Sequence, residues 1–253
     1  MRVVTWNMDH WKHPRKSSEA WAFLLDELRP DIALLQEAVI PGDVRHDPLW
    51  THARERGTSL KELAWGSAIL SRVGTPATHL VISPEDIAKR GAVQVASCNI
   101  AGIGETTIVN IHSRLDDDKR AVQKVIPNLR KTFEMVLPAL GERFIVGGDL
   151  NTARSLDRVY GQKYGHGDFW REMDAGILRE SLPGENGERQ SYWGIAKGPT
   201  AGILQDDHLF FDAETFKLVS ESRVWDTPQI RELSDHGPIV VDLDLSAGRG
   251  SDT

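Results

Sequence analysis

The chain has 253 residues, of which 40% are hydrophobic, so it can bury a sizeable core and is not an intrinsically disordered protein. It has 30 basic and 37 acidic residues, and the net charge of -7 argues against binding nucleic acid by bulk attraction alone. The single cysteine, Cys98, excludes an intrachain disulfide and a cysteine-rich zinc site. The sequence begins with MRVVTW, not a secretory signal, and has no apolar run of about 18 residues, so we expect a cytoplasmic protein without a membrane anchor.

The first part of the chain predicts two strands with a helix between them. The β-branched and aromatic run VVTWN is typical of a strand, and it ends at Asn7. Ser17 or Ser18 is expected to cap a helix whose apolar residues follow helical spacing, and Pro30 ends it. The continuous apolar run DIALLQE then predicts a buried strand that carries Glu37 at its exit.

The middle of the chain is rich in predicted strands. Residues 41–63 are charged and only weakly periodic. After them, Gly, Pro and polar turns separate four runs that are typical of strands, namely WGSAILSR, ATHLVI, AVQVASCNI and TTIVNIH.

The rest of the chain predicts two helices and the closing strands. An apolar stripe from Lys119 to Leu137 indicates a helix that Pro127 kinks or interrupts. RFIVGGDLN predicts a buried strand, DFWREMDAGIL a short helix, and HLFFD and HGPIVVDLDL the last strands. Because no repeat or long linker divides the chain, we predict one α/β domain at residues 1–246 and a solvated tail at 247–253.

Polar residues recur at the ends of these predicted strands. Each of them alone is typical of a turn cap, but α/β proteins assemble their sites from strand ends at one rim of a sheet. Hard cations such as Mg²⁺ take one or two carboxylates together with phosphate oxygens, and Glu37 with Asp235 or Asp149 can supply them. The residues concerned are Asn7, Asp9, Glu37, His112, Asp149 and Asn151, followed near the C-terminus by Asp206, Asp207, His208, Ser234, Asp235 and His236.

Six motifs in chain order resemble those of the endonuclease/exonuclease/phosphatase superfamily, which includes DNase-I-like enzymes. They are WNMD, LLQE, NIH, GGDLN, DDHLFF and LSDHGP, and they span nearly the whole chain. The most specific part is GDLN upstream of SDHGP, with LLQE before both. The resemblance implies a four-layered α/β sandwich, in which two central, mainly antiparallel sheets are flanked by helices. It also implies hydrolysis of phosphate esters with Mg²⁺ or Mn²⁺.

On the metal side, the resemblance makes Glu37 the direct ligand and Asn7 its partner, with Asp235 linked to the metal. Asp9 is a weaker addition to this set. Metal held by Glu37 can neutralise the phosphate and the leaving oxygen.

On the catalytic side, Asp149 and Asn151 resemble the pair that orients the attacking water and holds a phosphate oxygen. His236 resembles the general base or phosphate contact, and Asp207 the acid that orients it. His112 can grip a non-bridging oxygen or protonate the leaving group. Whether Asp149 or His236 takes the proton of the water stays open.

The doubled acid at positions 206 and 207 leaves a choice for the residue that orients the histidine. Asp207 is favoured because it immediately precedes His208 and the strand. His208 itself is expected to be a packed residue or one that supports the site.

Two segments are candidates for substrate contact. HWKHPRK combines a stacking ring with cations, although it is equally well explained as a solvated helix leader. YGQKYGHGDFW suggests a substrate-facing loop, or a Gly-rich excursion packed by its own aromatic side chains. The predicted contacts are Trp11, Lys12, Arg15, Lys16 and Tyr164.

The function predicted from these residues is a metal-dependent phosphodiesterase or nuclease. Its substrate is nucleic acid or a small phosphorylated molecule, and no obligate protein partner is evident. The alternative is a phosphomonoesterase of sugar, inositol or nucleotide phosphates. The overall acidity of the chain slightly favours such a small substrate, whereas the basic segment HWKHPRK favours a phosphodiesterase or nuclease. A catalytically inactive scaffold is less favoured because every motif position holds a competent residue.

Overall fold

The computed structural model of the chain describes residues 1–42, 47–56, 62–82, 92–113, 121–182, 188–193 and 204–246. The predicted tail at 247–253 lies outside the described residues, and the division into one domain stays a prediction. Across the described parts of the chain, no helix combines the length and the apolar character that crossing a membrane requires.

Twelve described strands form two six-stranded sheets. The first sheet has the order β11-β12-β1-β2-β4-β3, and only β1 and β2 in it are parallel neighbours. Its strands are β1 (Arg2–Asn7), β2 (Ile32–Ala38), β3 (Trp50–Arg56), β4 (Glu62–Ser71), β11 (Val219–Val224) and β12 (Ile239–Leu243).

The second sheet has the order β5-β6-β7-β8-β10-β9, and only β7 and β8 in it are parallel neighbours. Its strands are β5 (Ala77–Ile82), β6 (Ala92–Ile100), β7 (Gly104–His112), β8 (Arg143–Asp149), β9 (Arg179–Glu180) and β10 (Asp207–Phe211). Both sheets are therefore mixed but mainly antiparallel.

Helices cover the outer faces of the two sheets. They are α1 (Ser17–Ala22), α2 (Ala121–Val136), α3 (Leu156–Tyr160), α4 (His166–Ala175), α5 (Ala213–Phe216) and α6 (Pro228–Leu233). A π-helical segment, Phe23–Leu28, continues α1, and single 3₁₀ turns lie at Pro14–Lys16, Leu137–Ala139 and Gln162–Tyr164.

Three apolar clusters show that the layers number four. One cluster, with Leu34 and Ile145, fills the space between the sheets. A second joins the first sheet to α1 and α6 through residues such as Trp21, and a third joins the second sheet to α2 and α4 through residues such as Leu129 and Phe169. The predicted four-layered α/β sandwich is confirmed.

The pairing of the strands brings the predicted site residues to one edge. Because β1 and β2 are parallel, Asn7 and Glu37 leave the first sheet at the same end. In the second sheet, His112 at the end of β7 lies opposite Asp149 at the end of β8. Asp207 starts the antiparallel strand β10 and also lies opposite Asp149. Strand direction and register therefore place these side chains together.

Some expectations for the elements differ from the structure. Neither Ser17 nor Ser18 caps α1, since Ser17 is already helical and the helix continues from the turn Pro14–Lys16 without a side-chain cap. Helix α2 runs through Pro127 as one element, so the proline does not interrupt it. Strand β3 lies within residues 41–63, where the charged sequence gave no strand pattern.

Candidate active site

The tightest contact among the predicted catalytic residues joins His236 to Asp207. His236 Nδ1 lies 2.8 Å from Asp207 Oδ2, and Ser191 Oγ donates to the same oxygen at 2.8 Å. Because an ionised carboxylate only accepts hydrogen bonds, Nδ1 carries a proton. Nε2, on the opposite side of the ring, points away from Asp207. Asp207, and not Asp206, is therefore the acid in contact with this histidine.

The second nitrogen of His236 faces two more carboxylates. Nε2 lies 3.9 Å from Asp149 Oδ2 and 3.7 Å from Asp235 Oδ1. Burial lowers the pKa of His236, but the charges of Asp207 and Asp149 and the bond to Asp207 raise it by more, so that it lies well above its usual value. These acidic neighbours favour the protonated form of the ring.

Asp149 is held by Asn151, its predicted partner, and by Asn7, which was predicted as the partner of Glu37. Asn7 Nδ2 donates to Asp149 Oδ2 at 2.9 Å, and the backbone N–H of Asn151 donates to Asp149 Oδ1 at 2.9 Å. Burial raises the pKa of Asp149 to about 6, and the charge of Asp207 acts in the same direction. Asp149 therefore changes its protonation state close to neutral pH.

The loop that carries His236 is fixed to the end of β1. Ser234 Oγ donates to the Asn7 carbonyl at 2.7 Å and accepts the His236 N–H at 3.0 Å. The indole N–H of Trp6 donates to the His236 carbonyl at 3.0 Å. Residues from the two ends of the sequence are thus locked into one wall of the site.

Glu37 and His112, two of the predicted site residues, lie next to each other at this edge. Their Oε1 and Nε2 atoms are 3.3 Å apart, and both side chains are largely buried. Glu37 has a φ of 49°, which turns the backbone at the end of β2. The edge of the Trp65 ring packs on His112, with ring centroids 6.1 Å apart.

A cluster of charged residues covers the rim next to Asp235. Lys12 Nζ lies 2.6 Å from Asp235 Oδ2 and 3.5 Å from Asp9 Oδ1, while His13 Nδ1 lies 2.9 Å from Asp9 Oδ2. Burial raises the pKa of Asp9 to about 6, with a further rise from the charges of Asp235 and Glu37. Burial also raises the pKa of Asp235, but His236 and Lys12 outweigh it and leave that pKa lowered.

The donors available to a metal ion lie in two groups. Asp149, Asp207 and His236 offer ligand atoms within 4.8 Å of one another. In this group His236 Nδ1 and Asp207 Oδ2 already bond each other.

The second group consists of oxygen donors around Glu37. Asp9 Oδ1 is buried and makes no hydrogen bond among the described residues, although the Lys12 ammonium lies 3.5 Å from it. Asn7 Oδ1 accepts one bond, from the Asp9 N–H at 3.0 Å, and keeps a second lone pair. Carboxylate and amide oxygens are the ligands that Mg²⁺ prefers, so these residues fit a hard divalent cation.

The predicted substrate contacts divide into those near the site and those away from it. Trp11 is 51% exposed, and Lys12 Nζ lies 4.8 Å from its ring centroid, so both lie on the rim beside Asp235. Lys16 instead pairs with Glu19, and Arg15 is an exposed residue of the turn before α1. Tyr164 lines a cleft of about 530 Å³ between α2 and α4, together with Arg130 and Lys163.

Two residues at the site carried no signal in the sequence. Tyr192 pairs with His236 through an isolated β-bridge, and its ring lies 4.8 Å from the imidazole. Burial raises the pKa of Tyr192 to about 12, and the charge of Asp235 adds to it. Ser191 orients Asp207, as described above. Both lie outside any predicted strand or motif, so only the folded chain brings Tyr192 to His236 and Ser191 to Asp207.

The predicted catalytic and metal residues therefore lie at one edge of the sandwich. A model of the Endonuclease/Exonuclease/phosphatase family matches residues 4–236 of the chain. The chain belongs to the endonuclease/exonuclease/phosphatase family. The resemblance seen in its motifs is confirmed. No curated protein sequence matches the chain significantly.

Solved structures of similar fold include several with names from this family. An endonuclease/exonuclease/phosphatase from Beutenbergia cavernae has a TM-score of 0.68 at 16% identity, covering 96% of this chain and 71% of that chain. An AP endonuclease from Archaeoglobus fulgidus has a TM-score of 0.68 at 17% identity, and the match covers 96% of this chain and 99% of that chain. A 3'-5' exonuclease from Neisseria meningitidis has a TM-score of 0.58 at 18% identity, covering 96% and 100%. At these identities the likeness shows the fold.

Proposed function

We propose that this chain is a divalent-metal-dependent phosphodiesterase of the nuclease type, in which an activated water attacks phosphorus. The observation that carries the proposal is the gap between His236 and Asp149. At 3.9 Å, Nε2 and Oδ2 are too far apart for a direct hydrogen bond and close enough for both to contact one water or one phosphate oxygen. Family membership supports the reaction class.

The pKa directions favour a division of labour between these two residues. Asp149, with a pKa of about 6, is ionised at neutral pH and can take a proton from the attacking water. The pKa of His236 is raised well above its usual value, which favours a protonated ring suited to donating Nε2–H to a phosphate oxygen. Asp207 keeps the ring oriented for this contact and stabilises its charge. Asn151 and His112 are proposed to hold the remaining non-bridging oxygens.

The predicted cofactor, Mg²⁺ or Mn²⁺, is proposed to bind on the Glu37 side of the site. Glu37, Asn7 and Asp9 would hold it, while Asp235 reaches the same cluster and is paired with Lys12. When bound, the ion supplies charge neutralisation for the phosphate and the leaving oxygen. Asp9 Oδ1 supports this position, because it is buried, has no hydrogen bond among the described residues and already faces one cation, the Lys12 ammonium 3.5 Å away.

The rim residues are proposed to contact the substrate beyond the reacting phosphate. The exposed Trp11 ring offers a face for stacking, and Lys12 brings a cation to its edge. The positions of Arg15, Lys16 and Tyr164 give no comparable support. The cytoplasmic location stays a prediction.

A phosphomonoesterase is the second candidate, and Lys12 is the observation that favours it. A terminal phosphate dianion carries more charge than a diester, and the Lys12 ammonium lies at the rim beside the reaction centre. In this reading Lys12 leaves Asp235 to bind the terminal phosphate.

A substrate screen tests the proposal. The wild-type protein and its Asp149→Asn form are assayed with Mg²⁺ or Mn²⁺ on bis(p-nitrophenyl) phosphate, p-nitrophenyl phosphate, and single- and double-stranded DNA. We expect hydrolysis of the diesters, loss of it with EDTA, recovery on adding metal, and very low activity in the variant. Activity confined to the monoester would favour the second candidate, and full activity in EDTA would contradict the metal-dependent chemistry.

A further inference from the structure

The backbone that carries Asn151 is held in a conformation that few residues adopt. Asn151 has a φ of 51°, in the left-handed region. Its N–H bonds Asp149, and its Nδ2 donates to the Ser113 carbonyl at 2.8 Å. The position of the amide therefore depends on whatever fixes the loop that follows β8.

Two buried histidines fix the next residue of this loop. His208 Nε2 lies 2.9 Å from the Thr152 carbonyl oxygen. His166 Nδ1 lies 2.7 Å from Thr152 Oγ1. Further along, the Glu188 carboxylate accepts the backbone N–H groups of residues 154 and 155. The loop is thus anchored on the side away from the proposed reaction centre.

The contacts of His208 determine its charge. Its Nδ1 lies 2.7 Å from Glu180 Oε1, while Nε2 faces the Thr152 carbonyl. Gln205 Nε2 also lies 3.3 Å from Nδ1, but it donates to Glu180 Oε1 at the shorter distance of 3.0 Å. Carbonyl and carboxylate oxygens only accept hydrogen bonds, so both ring nitrogens must donate and the ring is an imidazolium. Glu180 in turn bonds Arg154 at 2.7 Å, which places the carboxylate between two cations.

The surroundings of His208 agree with this charge. The side chain is fully buried and packs on Trp170, with ring centroids 4.5 Å apart. Burial lowers the pKa of His208, but the hydrogen bond and the charge of Glu180 raise it by more. A buried ion pair adds little net stability, since desolvation offsets most of its attraction. The bond from His208 to the Thr152 carbonyl is therefore better explained by the position that it gives to the loop.

Strand β10 connects this contact to the proposed reaction centre. Successive residues of a strand point to opposite faces, so Asp207 contacts His236 while His208 packs on the helical layer with Trp170. A change at His208 therefore reaches Asn151 through Thr152 and leaves the bond between Asp207 and His236 in place.

We propose that His208 is a positioning residue, which as an imidazolium between Glu180 and the Thr152 carbonyl holds the Asn151 amide ready for the transition state. The kinetic part of this inference rests on the proposed function. The charge and the anchoring rest on hydrogen-bond geometry alone, so they can be tested separately.

The test compares His208→Gln and Glu180→Gln with Asp212→Asn. Gln in place of His208 supplies no cation. Gln in place of Glu180 leaves a neutral ring that still donates to Thr152. Asp212 caps α5 at the far end of β10 and serves as a matched control for general destabilisation. Three readouts are taken: kcat and KM on the best diester, ring ¹⁵N NMR in mildly alkaline buffer, and hydrogen exchange of amides 150–155.

We expect His208→Gln to lower kcat by about 10- to 100-fold with little change in KM, as supporting residues of a site commonly do. Glu180→Gln lowers kcat less. The wild-type spectrum contains a ring with two protonated nitrogens that is absent from His208→Gln and singly protonated in Glu180→Gln. Amides 150–155 exchange faster in His208→Gln and not in Asp212→Asn.

Each contrary result has a separate meaning. An active wild type whose His208→Gln form keeps its kcat would overturn the positioning role and leave the proposed function standing. A wild-type His208 ring with one protonated nitrogen, or unchanged exchange of the loop, would overturn the inference even if no diester were hydrolysed. If His208→Gln does not fold, Glu180→Gln decides through the same three readouts.

Discussion

His236 donates through Nδ1 to Asp207 at 2.8 Å and turns its other nitrogen towards Asp149, 3.9 Å away. Three residues from distant parts of the sequence thus form one line across the edge of both sheets. If this line performs the reaction, Asp149→Asn and His236→Gln should each lower kcat on a diester by ~10²-fold or more. Steady-state kinetics measures the loss, and circular dichroism verifies the fold.

The matched control for this prediction is His10→Gln. His10 is buried in the same region, but its Nδ1 accepts the Val39 N–H at 2.9 Å, and its bond to the Glu37 carbonyl comes from the backbone N–H, which Gln keeps. Burial lowers its pKa to about 4, so the ring is neutral and Gln changes no charge. Full activity in both site variants would remove the proposed mechanism, whatever the control shows.

The pH dependence of kcat/KM should be bell-shaped. Asp149 must be ionised to act as the base, so activity rises with pH through about 6. His236 must be protonated, and since its pKa is raised, activity falls only when the pH passes well above the usual histidine value. Asp207→Asn removes a carboxylate that raises the pKa of His236, so the alkaline limb should move to lower pH.

A pH profile recorded for wild type and Asp207→Asn checks the assignment. The acidic limb should stay near its wild-type position in the variant, or shift slightly downward, because Asp207 also raises the pKa of Asp149. An alkaline limb that does not move would show that His236 is not the group titrating there.

The sequence was most informative where a strand runs into a motif. Apolar runs predicted β1, β2, β7 and β8, and their last residues are the ones that meet at the site, since strand direction alone brings their ends together. It failed for Tyr192 and Ser191, which lie in an irregular segment and reach His236 and Asp207, respectively, only through tertiary contacts. It also missed β3, which has a charged sequence and lies at a sheet edge.

Side-chain partners were beyond the sequence for a similar reason. Lys12 and Lys16 belong to the same basic segment, yet only Lys12 turns to Asp235, while Lys16 pairs with Glu19 in the following helix. The turn Pro14–Lys16 separates their directions, and a one-dimensional pattern of charges does not reveal it.

That difference supplies a prediction for substrate binding. Lys12→Gln should raise KM by about fivefold, the effect of ~1 kcal/mol from one screened charge at the rim, with kcat less affected. The effect should shrink at high ionic strength because exposed charges are screened. KM is measured on a charged diester at low and high salt.

Lys16→Gln is the matched control, since it removes the same charge from the same segment. Its KM should stay at the wild-type value, because Lys16 bonds Glu19 outside the site. Equal effects from both variants would mean that the segment acts through its net charge and not through the position of Lys12.

A Cβ atom at either glycine of GGDLN, Gly147 or Gly148, would overlap neighbouring atoms. This close packing leads to a prediction about stability. Gly148 has a φ of 140°, and a Cβ there would overlap the Ile111 carbonyl of the parallel neighbour β7. Gly161 also has a positive φ, of 84°, but a Cβ there meets nothing within 4 Å. Comparing Gly148→Ala with Gly161→Ala therefore separates the cost of backbone strain from the cost of the clash.

Gly161→Ala should cost about 1–3 kcal/mol of unfolding free energy, the scale of backbone strain alone, since a φ of 84° with a ψ of 154° is a conformation that few residues but glycine adopt. Gly148→Ala should cost at least 1–3 kcal/mol more, roughly the penalty for overpacking a closed site, because β7 must move away from β8. That movement would also separate His112 from Asp149, so the folded fraction of Gly148→Ala should be less active than Gly161→Ala. Urea unfolding gives both free energies, and equal values would show that the two strands yield to admit a methyl group.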